Sequence, residues 1–107
     1  MALAATSTRE LAELIQPREL ARQGFAEPSR VSVIFGTDHS GEEAYYVYLV
    51  FPDETPEEAL TWKKVKPMIQ WVRARIREAD EFQHWAYVRA LRESEQLEVS
   101  QNVATQS

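Results

Sequence analysis

The segment 44–51 constrains the fold of this chain more than any other. It reads Ala-Tyr-Tyr-Val-Tyr-Leu-Val-Phe, an uninterrupted run of apolar and aromatic residues rich in β formers. Because successive side chains of a strand point to opposite faces, such a strand is apolar on both. We therefore expect a central strand covered on both sides, or an edge strand buried in a dimer. One helix can cover one face, and the other face needs the N-terminal helix or another protein chain.

A second strand precedes this segment and is expected to pair with it. Residues 31–35 alternate apolar side chains and are rich in β-branched types. The loop that follows carries Gly36 and Gly41 near its two ends, and glycine supplies the positive φ that such loops use. These signals predict a β-hairpin with its loop at residues 36–42.

The N-terminal segment predicts helical structure. Ser7 can act as an N-cap, and Glu10, three residues later, completes a capping box. Pro17 suits the first turn of a new helix, and Gly24 suits a left-handed C-cap. We expect two short helices, or one kinked helix, over residues 8–23.

A long amphipathic helix is expected after the hairpin. Thr55 as N-cap, Pro56 at the first helical position and Glu58 at the third form a capping box there. The apolar stripe of the helix, with spacings of three and four, is Trp62, Val65, Ile69, Val72, Ile76 and Ala79. Pro67 interrupts this stripe and lacks the amide that an interior helical residue donates, so we expect a kink or a break near Lys66.

Aromatic and β-branched residues favour a short third strand at about 84–89, although a three-residue spacing leaves a helix as the alternative. The fold class is then α+β: a small two-layer domain with an N-terminal helix, a β-hairpin, a long kinked amphipathic helix and a short third strand. The length of 107 residues suits one such domain. We assign it to residues 1–92 and expect the polar residues 93–107 to form a mobile tail.

Composition narrows the function classes. The absence of cysteine excludes disulfides, thiolate catalysis and cysteine-ligated metals. The 12 basic and 17 acidic residues give a net charge of −5, which argues against a dedicated binder of nucleic acid or of anionic membranes. No run suits a signal peptide or a membrane helix, and no glycine-rich phosphate loop is present. We therefore expect a soluble cytoplasmic protein with no cofactor and no membrane partner.

Charge is segregated along the chain. Residues 38–58 hold seven acids and no base, whereas residues 62–77 hold six bases and no acid. Basic side chains with an interleaved aromatic can grip phosphates and stack a base, which makes a nucleic-acid-associated regulator the alternative function. The residues for that role are Lys63, Lys66, Trp71, Arg73 and Arg77. The rest of the chain carries −11 (−5 minus +6) and would repel a nucleic acid, so a solvated or partner-facing helix is favoured.

The loop at residues 36–43 supplies a third hypothesis, a small enzyme. Asp38, His39 and Ser40 are residue types of a hydrolase triad, but a triad converges from separate elements and consecutive side chains diverge. Glu42 and its neighbouring glutamate could join Asp38 and His39 around a divalent ion, but no recognised metal-loop spacing is present. We expect Asp38 or Ser40 to cap backbone amides, with no catalytic residue and no metal.

Tyrosine and tryptophan are the residues that most often anchor protein interfaces. Our leading hypothesis is therefore a non-enzymatic interaction module that self-associates, as a homodimer or larger homo-oligomer, or pairs with a specific protein. An accessory, antitoxin-like or immunity-like role suits its size and acidity. The expected partner-binding residues are Tyr46, Tyr48, Trp71, Arg73, Arg77 and Trp85.

Overall fold

The computed structural model describes residues 7–95 as a helical layer on a three-stranded sheet. Its elements are α1 (Thr8–Leu14), α2 (Pro17–Arg22), β1 (Arg30–Thr37), β2 (Glu43–Phe51), a 3₁₀ helix (Glu57–Leu60), α3 (Trp62–Ala79) and β3 (Trp85–Arg92). The strand order is β1-β2-β3, antiparallel between β1 and β2 and parallel between β2 and β3. This arrangement confirms the predicted α+β two-layer domain, its hairpin, its central strand and its third strand.

Local signals act at the N-terminus as the sequence predicts. The Ser7 side chain accepts a hydrogen bond from the Glu10 amide at 3.2 Å, and the Glu10 side chain accepts one from the Ser7 amide. Pro17 begins α2, and Gly24 follows it with a φ of +87°. The Phe25 amide then donates to the Leu20 carbonyl at 3.1 Å, which closes the end of α2.

All three helices cover the same face of the sheet, here called the inner face. Tyr45, Val47, Leu49 and Phe51 point to it, and each is at most 5% exposed. They share one buried cluster with Leu11, Ile15, Leu20, Met68, Val72 and Ile76 from the helical layer. The alternative in which the N-terminal helix covers the second face is therefore wrong. A helix is about 10 Å wide and strands lie about 4.8 Å apart, so one helix covers roughly two strands. Accordingly α1 lies against β1, and α3 lies against β3.

The predicted helix start at Thr55 is wrong. Pro56 is extended, with ψ 143°, and the chain makes only a 3₁₀ turn before α3 begins at Trp62. A tertiary contact competes with the capping box, because the Arg92 guanidinium donates to the carbonyls of Asp53 (2.9 Å) and Thr55 (2.8 Å). As a result Trp62, expected on the buried stripe, lies in the first turn and is 65% exposed.

Pro67 does not break α3. The helix runs without interruption from Trp62 to Ala79, so the alternative of a break near Lys66 is wrong. Met68 and Ile69, directly after the proline, are both buried. Packing of this face against the sheet therefore compensates for the hydrogen bond that proline cannot donate to the Lys63 carbonyl.

Residues 93–95 extend the described chain beyond β3. The amide and hydroxyl of Ser94 both donate to the Asp53 carboxylate, at 3.1 and 3.0 Å. The remainder of the predicted tail, 96–107, lies outside the described residues. No helix within 7–95 is long and apolar enough to cross a membrane.

Candidate functional site

The face of the sheet opposite the helices, here called the outer face, carries the candidate site. The alternation of side chains and the strand register assign its members: Arg30, Ser32, Ile34, Gly36, Ala44, Tyr46, Tyr48, Val50, Trp85, Tyr87, Arg89 and Leu91. Ile34 is 52% exposed and Trp85 is 45% exposed. Most buried residues of α1, α2 and α3 join the inner cluster, on the opposite side of the sheet. Ala44, Val50 and Leu91 of the outer face are buried, so its accessible part is formed by the larger side chains such as Ile34 and Trp85.

Three aromatic rings form a connected array on the outer face. Tyr46 and Tyr87 stack with centroids 5.4 Å apart and planes at 18°, and Trp85 meets Tyr87 edge-on at 6.4 Å. The Tyr46 hydroxyl donates to the Thr37 carbonyl at 3.3 Å, and the Tyr87 hydroxyl donates to the Asp38 carboxylate at 3.0 Å. Tyr46 and Tyr87 are held both by ring stacking and by a hydrogen bond from the hydroxyl. Such rings lose little conformational entropy when a partner binds, which suits them to an interface.

Asp38 organises the hairpin loop next to this array. Its Oδ1 accepts hydrogen bonds from the Ser40 hydroxyl (2.7 Å), the Ser40 amide (2.9 Å) and the Glu42 amide (3.0 Å). The hydrogen bond from the Ser40 hydroxyl is the main reason that the pKa of Asp38 is lowered to about 2. The same carboxylate raises the pKa of Tyr87, whose neutral hydroxyl it holds. The predicted capping role of Asp38 is confirmed, since its carboxylate accepts hydrogen bonds from the amides of Ser40 and Glu42.

Arg73 joins the helical layer to the outer face. Its Nε donates to the Ala86 carbonyl at 2.8 Å, on the side of β3 that faces away from β2. Its guanidinium carbon lies 4.4 Å from the centroid of the Trp85 ring. A cation over an indole face contributes about 0.5–1 kcal/mol at exposed sites. Arg73 therefore fixes the position of Trp85 and places a positive charge at the margin of the array.

The structure brings together four of the six residues expected at the partner site: Tyr46, Tyr48, Arg73 and Trp85. Trp71 lies elsewhere, because its ring packs edge-on against Phe25 at 6.2 Å within the helical layer. Arg77 is exposed on α3 and is not part of the array.

The residues of the nucleic-acid alternative are not gathered into one stacking site. Lys63, Lys66 and Arg77 are exposed on α3, but Trp71 is partly buried against Phe25 and the core. Arg73 has turned to the edge of β3, where it binds the Ala86 carbonyl. Because Trp71 is partly buried in this packing, less of its ring is available to stack on a base than the sequence predicts.

Sequence reasoning missed Tyr87 and Ile34 as members of the surface. Tyr87 is two residues from Trp85 on a strand, so alternation alone would place both on one face. Ile34 lies directly opposite Tyr46 in the register, which in turn pairs with Tyr87. The two-residue spacing along each strand is visible in the sequence. The register that aligns the three strands is not, so the sequence does not show that these side chains are neighbours.

A polar cluster at the turn between α3 and β3 was also missed. The carboxylate of Asp80, which is 3% exposed, accepts hydrogen bonds from the amides of His84 (2.7 Å) and Phe82 (3.3 Å). Its Oδ2 also lies 2.9 Å from Nδ1 of His84, and Nε2 of the same ring lies 3.7 Å from the Glu43 carboxylate. An aspartate directly after a helix that binds amides two and four residues later is a turn-forming arrangement. The cluster therefore sets where β3 begins.

A cleft of about 540 Å³ lies between the first half of α3 and the end of β3. It is lined mainly by aliphatic side chains, including Val65, Ile69 and Val88. Arg92, one of its four charged residues, already binds two backbone carbonyls. Within the described part of the chain, no three His, Asp or Glu side chains come together as a site for a metal ion.

Comparisons with protein-family models, with curated proteins and with solved structures find no match to this chain. The functional argument therefore depends on the geometry of the outer face.

Proposed function

We propose that this chain is a non-enzymatic protein-interaction module, and that it associates with itself or with a specific protein partner. The outer face is the proposed binding surface. The observation that carries the proposal is the fixed array of Tyr46, Tyr87 and Trp85 on the sheet face opposite the inner cluster, where Trp85 is 45% exposed. An accessory role of the antitoxin or immunity type accords with a small acidic module of this kind.

The residue types of the array favour a protein partner. Tyrosine, tryptophan and arginine are enriched among the residues that dominate binding energy at protein interfaces. The array combines these types, because Arg73 and Arg89 border the aromatic rings. The hydroxyls of Tyr46 and Tyr87 remain at the surface as polar groups, so a partner meets both apolar area and hydrogen-bonding capacity.

The charge beside the array disfavours a nucleic acid. The pKa of Asp38 is about 2, so this carboxylate is negative at neutral pH, and it lies in contact with the Tyr87 hydroxyl. A phosphate backbone crossing the rings would approach that charge within a chain of net charge −5. A protein partner can instead place a hydrogen-bond donor or a basic side chain at the same point.

The test compares an outer-face variant with a matched helix variant. Tyr48→Ala with Trp85→Ala removes two aromatic anchors, and Lys63→Ala with Arg77→Ala removes two exposed charges from α3. A tagged chain is used to isolate a protein from the source cells, and the purified pair is then titrated by calorimetry. Self-association is measured in parallel by light scattering.

We expect the outer-face variant to weaken binding to the isolated protein partner at least 30-fold, since loss of an interface anchor costs about 2 kcal/mol or more. The helix variant should bind as the wild type does. The proposal fails if both variants associate as strongly as the wild type while retaining the same circular dichroism spectrum. Binding of a nucleic acid that the helix variant alone loses would support the regulator in its place.

A further inference from the structure

The two edges of the sheet differ in how their backbone groups are occupied. On the β3 edge, Arg73 donates to the Ala86 carbonyl and the Glu95 side chain accepts from the Arg92 amide. On the β1 edge, residues 31–37 read Val-Ser-Val-Ile-Phe-Gly-Thr, without a charge or a proline. Their register with β2 is continuous, and no residue of β1 is buried. Natural proteins block exposed edges with charges, prolines or bulges, and within residues 31–37 this edge has none of them.

The hydrogen-bond parity of the hairpin shows which groups lie on that edge. The Asp38 amide donates to the Glu42 carbonyl, and the register continues from this pair through Gly36 and Ala44. In an antiparallel ladder the hydrogen-bonded pairs recur every second residue, so the even residues of β1 bond to β2. The odd residues of β1 direct their amides and carbonyls away from β2: they are Val31, Val33, Phe35 and Thr37. The Thr37 carbonyl among them already accepts a hydrogen bond from the Tyr46 hydroxyl.

We propose that this edge pairs antiparallel with the β1 edge of a second copy of the chain, with Ile34 at the two-fold axis. A register centred there pairs residue 34 with itself, residue 33 with 35 and residue 31 with 37. All four odd residues then find partners, and each such pair can exchange two hydrogen bonds. Because the Thr37 carbonyl of each copy already accepts from Tyr46, roughly six new hydrogen bonds join the copies. A register centred on Val33 would leave Thr37 unpaired.

Charge complementarity selects the same register and identifies the partner as a second copy. Pairing around Ile34 sets Arg30 of one copy opposite Asp38 of the other, and the two-fold axis repeats this pair at the other end. The Asp38 carboxylate keeps its hydrogen bonds to Ser40, Glu42 and Tyr87, so this pair contributes only through the attraction of opposite charges, at the low end of roughly 0.2–1 kcal/mol. Between them lie only apolar and small neutral residues, including Ile34 and Phe35, which are 52% and 41% exposed in the single chain. The edge is therefore complementary to itself.

The resulting dimer has a six-stranded sheet with both outer faces on one side and both helical layers on the other. The inference deepens the proposed function, because it names a second copy as one partner, but it uses the strand edge rather than the aromatic array. The two surfaces can therefore be tested separately.

The first test measures mass. We expect light scattering at about 200 μM chain to give twice the chain mass of 12.4 kDa. Ile34→Lys places two like charges at the axis and should weaken dimerisation at least tenfold. Val33→Pro removes an amide that points away from β2 and should do the same. Tyr48→Ala with Trp85→Ala is the control and should leave the dimer intact.

The second test reports the register and does not depend on loss of binding. The chain has no cysteine, so Ile34→Cys introduces a single thiol. Opposed residues of a non-hydrogen-bonded pair have Cα atoms about 4.5 Å apart, within disulfide range. Ser32→Cys is the matched control, because its counterpart lies four residues, or roughly 14 Å, away along the strand. Under mild oxidation Ile34→Cys should form the covalent dimer at least tenfold faster than Ser32→Cys.

The proposal is overturned if the wild type is monomeric at about 200 μM, or if Ser32→Cys cross-links as fast as Ile34→Cys. It is also overturned if Ile34→Lys leaves the dimer unchanged while the outer-face control abolishes it. That last result would support the outer face as the self-association surface and so retain the proposed function. A monomer that still binds a protein partner through the outer face would reject only the dimer.

Discussion

Replacing Asp80 with alanine should destabilise the fold by about 3 kcal/mol, since a hydrogen bond to a charged group contributes roughly 1.5–3 kcal/mol. Two short contacts to His84, at 2.7 and 2.9 Å, account for this loss, and the 3.3 Å bond from the Phe82 amide adds little. Asp80→Asn keeps the size of the side chain and one acceptor oxygen but removes the charge, so it should cost about half as much free energy of unfolding. The carboxylate is 3% exposed, so water cannot readily replace it.

Urea unfolding followed by tryptophan fluorescence measures this effect. A loss of 3 kcal/mol with an unchanged slope lowers the midpoint by roughly 1–3 M, for slopes of about 1–3 kcal/mol per molar urea. In a domain of this size it also lowers the melting temperature by roughly 12 °C or more. Glu81→Ala, which removes the adjacent exposed carboxylate, should stay within about 0.5 kcal/mol of the wild type. Equal midpoints for the variants at positions 80 and 81 would refute the claim that this carboxylate holds the turn.

Three further predictions concern the loop and the turn. The pKa of Asp38 is about 2 in the folded chain, below its ordinary 3.8. Its stabilising contribution is therefore complete above about pH 4 and is lost as the pH falls toward 2. In Asp38→Asn the urea midpoint should depend less on pH over that interval. The pKa of Tyr87 is raised above 10.0, so its neutral form stabilises the fold below pH 10 and this contribution is lost as the pH rises further. An ultraviolet titration should show the tyrosine ionisation that Tyr87→Phe removes, and Asp38→Asn should shift it to lower pH. Gln83 has a φ of +52°, so Gln83→Gly should leave stability unchanged or raise it by up to about 1 kcal/mol in a thermal melt.

The elements that sequence predicts correctly are those decided by neighbouring residues. Ser7 and Glu10 cap each other within one turn, and Gly24 ends α2 by its own backbone freedom. The hairpin likewise follows from alternation and from glycine in its loop. The signal at Thr55 is of the same local kind, but Arg92 binds the Thr55 carbonyl across 37 residues and holds the segment out of a helix. A helix N-cap contributes only about 1 kcal/mol, so such a tertiary contact can outweigh it. The local sequence pattern does not predict that contact.

In the candidate site, too, the residues predicted correctly are those placed by local pattern, and the error comes from a long-range contact. Tyr46 and Tyr48 share a face of β2 by alternation, which needs only the strand to be recognised. The sequence predicts Trp71 as an interface residue as well, because it lies beside basic residues on a helix, and the guanidinium of Arg75 does lie 5.8 Å from its ring. The packing of Phe25 against Trp71 depends on where α2 ends in space, so periodicity along α3 does not predict that the Trp71 ring becomes partly buried there.

The two faces of the doubly apolar strand β2 differ in what covers them. Its inner face is covered by the three helices, and pairing of two β1 edges would extend the sheet sideways without covering Tyr46 or Tyr48. Edge pairing places the two aromatic arrays on one side of a six-stranded sheet, still open to solvent. A dimer formed through β1 therefore does not replace the partner proposed for the outer face, but presents two copies of that binding surface to it. Two linked sites on one target raise the effective concentration for the second contact, so an outer-face anchor should matter more in the dimer than in a monomeric Val33→Pro variant, which leaves the outer-face side chains unchanged.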